Sequence, residues 1–279
     1  MALPVPSSLS PSKLSSFTNC ALQFRFATID QLPEPPTLAT TRGTLVHAAL
    51  EHLFTLPETE RVPEVAETCL DVARARLRDD VEWTGLELDD AGEQALVDEA
   101  RRLVANYFRL EDPRTVVPVG VELKLEVDIG GLKVRGIIDR LDLVDGDLVV
   151  TDYKTGRSPG QMNARTSMTG VHVYSLMCER YFGRRPARVQ LLHLAEPVAI
   201  VAEPSEQSTR GLERRLQAVW RAVQTACERE DFRPRPSGLC GWCAFKEWCP
   251  SFGGDPAQAT VDTGIRARSA AGQEPLLQI

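Results

Sequence analysis

The chain has 279 residues, 43% hydrophobic and 25% charged, with a formal net charge of −7. That is enough apolar material for a sizeable core, with no apolar run long enough to span a membrane. The acidic total argues against a protein that binds nucleic acid with its whole surface, but not against one with a local basic groove beside a carboxylate-rich site.

The opening residues lack the basic start and apolar core of a signal peptide, so the expected location is the cytoplasm. Ser10-Pro11-Ser12 reads as a helix start, with Leu14, Phe17, Leu22 and Phe24 as the apolar face behind it. Pro33, Pro35 and Pro36 enforce a loop. From Arg42 to Phe54 apolar residues recur at helical spacing, as they do from about Val65 to Val81 and from Asp90 to Leu110. The acidic stretch Glu82 to Asp90 reads as a connection between the last two. At Pro118 the period changes. Val119, Val121, Leu123, Leu125 and Val127 alternate with polar residues, the pattern of a half-buried strand. Gly130-Gly131 signals a hairpin turn. Leu132 to Val144 and Leu148 to Tyr153 give two more strands around Asp145-Gly146-Asp147. A helix follows over Met168 to Phe182, then strands over Ala187 to Leu194 and Val198 to Ala202. A long amphipathic helix runs from about Ser208 to Arg229.

This order predicts an α/β fold with a mixed central sheet and a helical region inserted before it. Residues 1–252 read as a single domain, with the helical region at about 42–112 and the core at about 118–230. Residues 253–279, poor in apolar side chains, read as a disordered tail.

Seven cysteines are present. In a reducing compartment, clustered thiols point to metal or redox chemistry rather than disulfides. Cys69, Cys178 and Cys227 fall in helix-like segments and read as small buried apolar residues. Cys240, Cys243 and Cys249 form C-x2-C-x5-C, with Cys20 more than two hundred residues upstream. This spacing suits zinc poorly. It suits a thiolate cage for a cubane iron–sulfur cluster, in which the fold brings a remote fourth ligand to a tight triplet. Such a cluster would join the two ends of the chain. A zinc-stabilised hydrolase is the competing reading of the same thiols.

The remaining chemistry lies in G-I-I-D-R-L-D and V-V-T-D-Y-K-T-G. Asp139 and Asp152 fall near the ends of two strands joined by a tight turn, so their carboxylates should meet. Asp152 and Lys154 are two apart on one strand and share a face. Two carboxylates in an oxygen-rich pocket suit Mg²⁺ or Mn²⁺, and the lysine can orient a water or stabilise charge on phosphorus. His47 is either structural or completes the metal shell. Glu122, on the preceding strand, is a further ligand, an acid behind the ligands, or an exposed strand residue. Arg140 and Asp142 flank the core motif, and Arg140 contacts phosphate or pairs with a carboxylate. Tyr174 belongs to the core or touches the scissile phosphate.

The run G-T-L-V-H, G-I-I-D-R-L-D and T-D-Y-K-T-G, followed by a helix with Tyr174, resembles the RecB-type branch of the PD-(D/E)xK nucleases. The cysteines are similar to those of its iron–sulfur members, among them the AddB nuclease domain and the CRISPR-associated adaptation nucleases. The resemblance covers about residues 8 to 252 and implies a restriction-endonuclease-like core. It implies that His47, Asp139 and Asp152 hold a divalent ion, with the Tyr153 carbonyl as a further ligand. It makes Lys154 the catalytic lysine and Cys20, Cys240, Cys243 and Cys249 the ligands of a [4Fe–4S] cluster. The family helix usually carries a glutamine four residues before its tyrosine, where this chain has Gly170. The implied function is a DNA exonuclease acting on single strands or ends, in repair or recombination. The alternative is a weak or inactive iron–sulfur subunit that binds DNA. No Walker A string occurs, so a helicase partner would be a separate polypeptide.

Overall fold

The computed structural model describes residues 2–158 and 161–263, with 161–171 described in backbone only. By contact density the chain divides into two units, Pro35–Arg215 and the pair of segments Met1–Glu34 with Leu216–Ile279. Within the span expected as one domain, 1–252, the residues before 35 thus gather with those after 215.

The smaller unit begins with helices α1 (Pro11–Asn19) and α2 (Ala21–Phe24), the latter running into a π-helical turn at Arg25–Ile29. Ser10 caps α1 by accepting from the Lys13 amide, with Pro11 at the first helical position where its missing N–H costs nothing.

In the larger unit, α3 (Leu38–Thr55) starts four residues before the expected Arg42. The cause is a capping box in which Thr37 and Thr40 satisfy each other's backbone amides. Helix α4 (Pro63–Leu77) follows. The acidic connection expected over 82–90 contains a short helix α5 (Val81–Thr84), capped by Asp80 and pinned by buried Trp83. The Trp83 indole donates to Glu93 at 3.0 Å. Asp89 caps α6 (Asp90–Tyr107). These helices bury Leu45, Leu50, Leu53, Leu70, Leu103 and Val104 in one cluster with Tyr153, Leu192 and Leu194 from the sheet side.

The sheet is built from β1 (Pro118–Ile129), β2 (Leu132–Val144), β3 (Asp147–Lys154), β4 (Arg188–His193) and β5 (Val198–Ala202), side by side in that order. Of these neighbours only β3 and β4 are parallel; the others are antiparallel. The mixed α/β architecture is therefore as expected. Both early hairpins turn on two residues of positive φ, Gly130-Gly131 and Asp145-Gly146, as a type I′ turn requires. The parallel step is made by α7 (Gln161–Phe182), which begins before the expected Met168.

Helix α8 (Glu206–Arg229) begins in the larger unit and ends in the smaller. Beyond it, 3₁₀ turns carry the cysteine triplet. Of the stretch 253–279 expected to be disordered, the described residues 253–263 include turns and a short helix α9 (Ala259–Asp262). Ala259 is buried there and Asp262 accepts from the Trp248 indole at 2.8 Å. Residues 264–279 lie outside the described residues. Cys69, Cys178 and Cys227 are buried, as expected of small apolar side chains on helices. No helix among the described residues is long and apolar enough to cross a membrane.

Candidate active site and cysteine pocket

The strand register explains why distant acids meet. Arg140 pairs with Thr151 across β2 and β3, so one step further Asp139 stands opposite Asp152. Val121 pairs with Arg140 and Leu123 with Ile138, which sets Glu122 opposite Asp139. Because side chains alternate between faces, Glu122, Asp139, Asp152 and Lys154 occupy one face of the sheet. Arg140, Asp142, Thr151 and Tyr153 take the other. Glu122 has φ of 46°, a left-handed conformation that is strained for a residue with a side chain and concentrates at functional sites.

His47, from α3, completes the group. Its Nε2 lies 3.2 Å from the Tyr153 carbonyl. A carbonyl can only accept, so Nε2 donates in this contact and Nδ1 is the nitrogen turned to the acids. Nδ1 lies 3.6 Å from Asp139 Oδ2 and 4.0 Å from Glu122 Oε1. The three ligand atoms lie within 4.8 Å of one another, the only such group of three among the described residues. Two carboxylates and an imidazole converge, a ligand set that fits a divalent cation. Asp139 Oδ2 also accepts the Tyr153 amide at 2.7 Å.

Asp152 adds a fourth acid. Lys154 Nζ approaches its Oδ2 to 2.5 Å as an ion pair, without hydrogen-bond alignment, so this buried oxygen has no hydrogen-bond donor among the described residues. The ammonium already serves as this oxygen's counter-charge, so a divalent ion at Asp152 would have to share or displace it. Burial pushes the Asp139 carboxyl up to about 6, with Asp152 adding to the rise and His47 opposing it. Burial, then Asp139, Glu51 and Asp152, push Glu122 up to about 7. The site is a cluster of three acids in which Lys154 pairs with Asp152.

Tyr174, on α7, borders the same cluster. Burial pushes its hydroxyl pKa up, and the Asp152, Asp139 and Glu122 carboxylates add to it. Its ring lies over Gly136, where a Cβ would come within 2.9 Å of Cε1, which accounts for the glycine that opens G-I-I-D. Gly170 lies where side chains are not described.

Arg140 takes the carboxylate-pairing alternative. It is fully buried on the opposite face. Its Nε donates to Asp142 at 2.8 Å, and Nη1 donates to the Tyr153 hydroxyl at 2.8 Å and to Glu111. Tyr107 also donates to Glu111, at 2.6 Å. Nothing in the sequence pointed to Tyr107 or Glu111, since a helix end carries no strand register. His193, which pairs with Lys154 on β4, was missed as well. The available signal was a polar side chain within the apolar run L-L-H-L.

In the smaller unit, Cys20, Cys240, Cys243 and Cys249 line one pocket. The Arg235 amide donates to Cys20 Sγ at 3.5 Å and the Ser237 amide to Cys240 Sγ at 3.3 Å. Burial pushes the Cys243 thiol up, and the other three thiols add to it. No three of the sulfurs lie within 4.8 Å of one another.

The family model of the PD-(D/E)XK nuclease superfamily matches residues 8–250. Gene 69 protein of Mycobacterium phage L5 is 24% identical over 289 residues, spanning 87% of this chain and 96% of the phage protein. Gene 69 protein of Mycobacterium phage D29 is 24% identical with the same coverage. The fold is similar to that of a "Putative exonuclease" from Eubacterium rectale, with a TM-score of 0.56 at 13% identity over 85% of this chain and 87% of that one.

Proposed function

The chain belongs to the PD-(D/E)XK nuclease superfamily, and from that premise we propose that it is a divalent-metal-dependent DNA exonuclease acting on single strands or ends. The observation that carries the proposal is the convergence of ligand atoms from His47, Glu122 and Asp139 within 4.8 Å of one another, with Asp152 opposite Asp139 across the hairpin. His47, Asp139 and Asp152 would hold Mg²⁺ or Mn²⁺, with Glu122 and the Tyr153 carbonyl at the edge of the site. When bound, such an ion polarises the phosphodiester and makes water a stronger nucleophile.

The chain's own residues do the rest. The β2–β3 register holds Asp139 and Asp152 opposite each other before substrate arrives, so little ordering is left to the reaction. His47 is held in one tautomer by the Tyr153 carbonyl. Lys154 is 44% exposed at the side chain and brings a positive charge to the phosphate or its attacking water. Tyr174 stays protonated at neutral pH and offers a hydroxyl donor to a phosphate oxygen.

We infer a structural [4Fe–4S] cluster in the four-cysteine pocket, on the C-x2-C-x5-C spacing with a remote fourth thiol in one pocket and two backbone amides donating to sulfur. A role in repair or recombination, with DNA ends supplied by a separate helicase, follows the family resemblance.

The test is cleavage of end-labelled single-stranded and duplex DNA by the purified protein with Mg²⁺, Mn²⁺, Ca²⁺ or chelator. Shortening from one end with Mg²⁺ or Mn²⁺ is expected, with inhibition by Ca²⁺, whose looser coordination positions water poorly. Cleavage that persists in chelator contradicts the metal-dependent reading, and internal cuts contradict the exonuclease reading.

A further inference from the structure

His193 is the last residue of β4, in parallel register with Lys154, and the pairing closes with the Leu194 amide donating to the Lys154 carbonyl at 2.8 Å. Residues paired in this way share a face, so the imidazole belongs to the Asp152–Lys154 face. It is 3% exposed, and neither ring nitrogen has a hydrogen-bond partner among the described residues. The Gly156 backbone faces the ring without reaching hydrogen-bond geometry. The charged groups around it are Lys154, Asp152 and Glu196. Buried polar groups nearly always have partners, and an orphan calls for a reason. Leucine would fill a strand between Leu192 and Leu194 at no such cost.

The neighbouring cation supplies the reason. Among the described residues, Lys154 pairs with Asp152, whose Oδ2 it approaches to 2.5 Å. Once the Asp152 carboxylate serves a divalent ion, Lys154 loses that partner. Burial first, and then the Lys154 charge, hold the His193 pKa below its ordinary value. A neutral imidazole keeps one lone pair, and an ammonium has three N–H donors.

We propose that His193 is a positioning residue for Lys154: its imidazole lone pair receives the Lys154 ammonium when the divalent ion takes Asp152, and so fixes the ammonium at the reacting phosphate. The inference rests on the nuclease reading of the site. No proton is transferred; one hydrogen bond replaces an ion pair.

The experiment uses the full chain with histidine labelled in ¹⁵N. Addition of Ca²⁺, which binds without supporting cleavage, should shift the acceptor nitrogen of His193 in the wild type. The shift should vanish in Lys154→Met. A His193 spectrum indifferent to Ca²⁺, or the same shift in Lys154→Met, overturns the proposal. Kinetics give a second arm. His193→Leu should lower kcat on the order of ten- to hundred-fold, as a misplaced catalytic group does, with KM for DNA nearly unchanged. His193→Gln, which keeps an acceptor, should lose less. The Tm of His193→Leu in chelator should equal or exceed that of the wild type, since an orphaned polar group has been removed. A Tm loss alone, with kcat intact per folded molecule, means a structural histidine and overturns the proposal. If the wild type cleaves nothing, the nuclease reading fails instead, and the Ca²⁺-linked shift still decides the contact between His193 and Lys154.

Discussion

Replacing Asp139 by Asn should make the metal-free protein more stable while abolishing cleavage. The Asp139 side chain is 12% exposed, and its carboxyl is pushed from the ordinary 3.8 to about 6. A rise of about two units corresponds to ~3 kcal/mol. The folded pKa lies above the unfolded one, so ionising the group weakens the fold. The cost is absent below about pH 3, about half developed near pH 5 and complete above about pH 7. Asn keeps an oxygen to accept the Tyr153 amide, which Asp139 accepts at 2.7 Å, but carries no charge. In chelator at pH 8, Asp139→Asn should therefore gain about 1–3 kcal/mol over the wild type. The gain should roughly halve at pH 5. Urea unfolding at the two pH values, on proteins matched for iron content, measures it. Saturating Mn²⁺ should close or reverse the difference, because an ion bound only to the native state stabilises it and the variant has lost a ligand. Equal or lower stability of Asp139→Asn at pH 8 in chelator would refute the picture of a strained acid cluster awaiting a cation.

Asp152→Ala and Lys154→Ala should each abolish cleavage of labelled DNA with the fold and iron content retained, since neither side chain supports the core; substantial residual cleavage by either removes the assigned chemistry. Arg140→Leu should cost about 3–5 kcal/mol in urea unfolding, because it leaves the Glu111 and Asp142 carboxylates buried without their cation; a loss under about 1 kcal/mol would place that network outside the stabilising core. Cys20→Ser should lose iron, bleach the visible absorbance and lower Tm, whereas Cys69→Ser, Cys178→Ser and Cys227→Ser should keep iron; full iron and sulfide in Cys20→Ser contradicts the ligand assignment. All cysteine work should be anaerobic, since oxidation of a cluster imitates a mutant.

Local pattern along the chain was enough to place the strands, their turns and the polar residues that share one face. Alternation from Val119 to Val127 and the paired turn residues Gly130-Gly131 and Asp145-Gly146 are short-range signals, and they dictate which residues share a side. Asp139, Asp152 and Lys154 could therefore be grouped from the order of residues alone, because one hairpin sets their register. For His47 the residues alone left a structural role and a metal ligand both open, and for Cys20 only the triplet's need of a fourth thiol pointed to it, since nothing local ties either to partners far along the chain. Capping shifted the start of α3, where Thr37 and Thr40 supply an alternative beginning that hydrophobic periodicity does not register. The rest depends on tertiary packing. Packing makes Arg140 a buried cation, because its partner Glu111 comes from beyond the end of a helix. It brings Glu122 into the site at a strained φ. It gathers the two ends of the chain into a unit of their own. It also sets His193 beside Lys154, through a parallel pairing that a crossover helix makes and that no short-range pattern encodes.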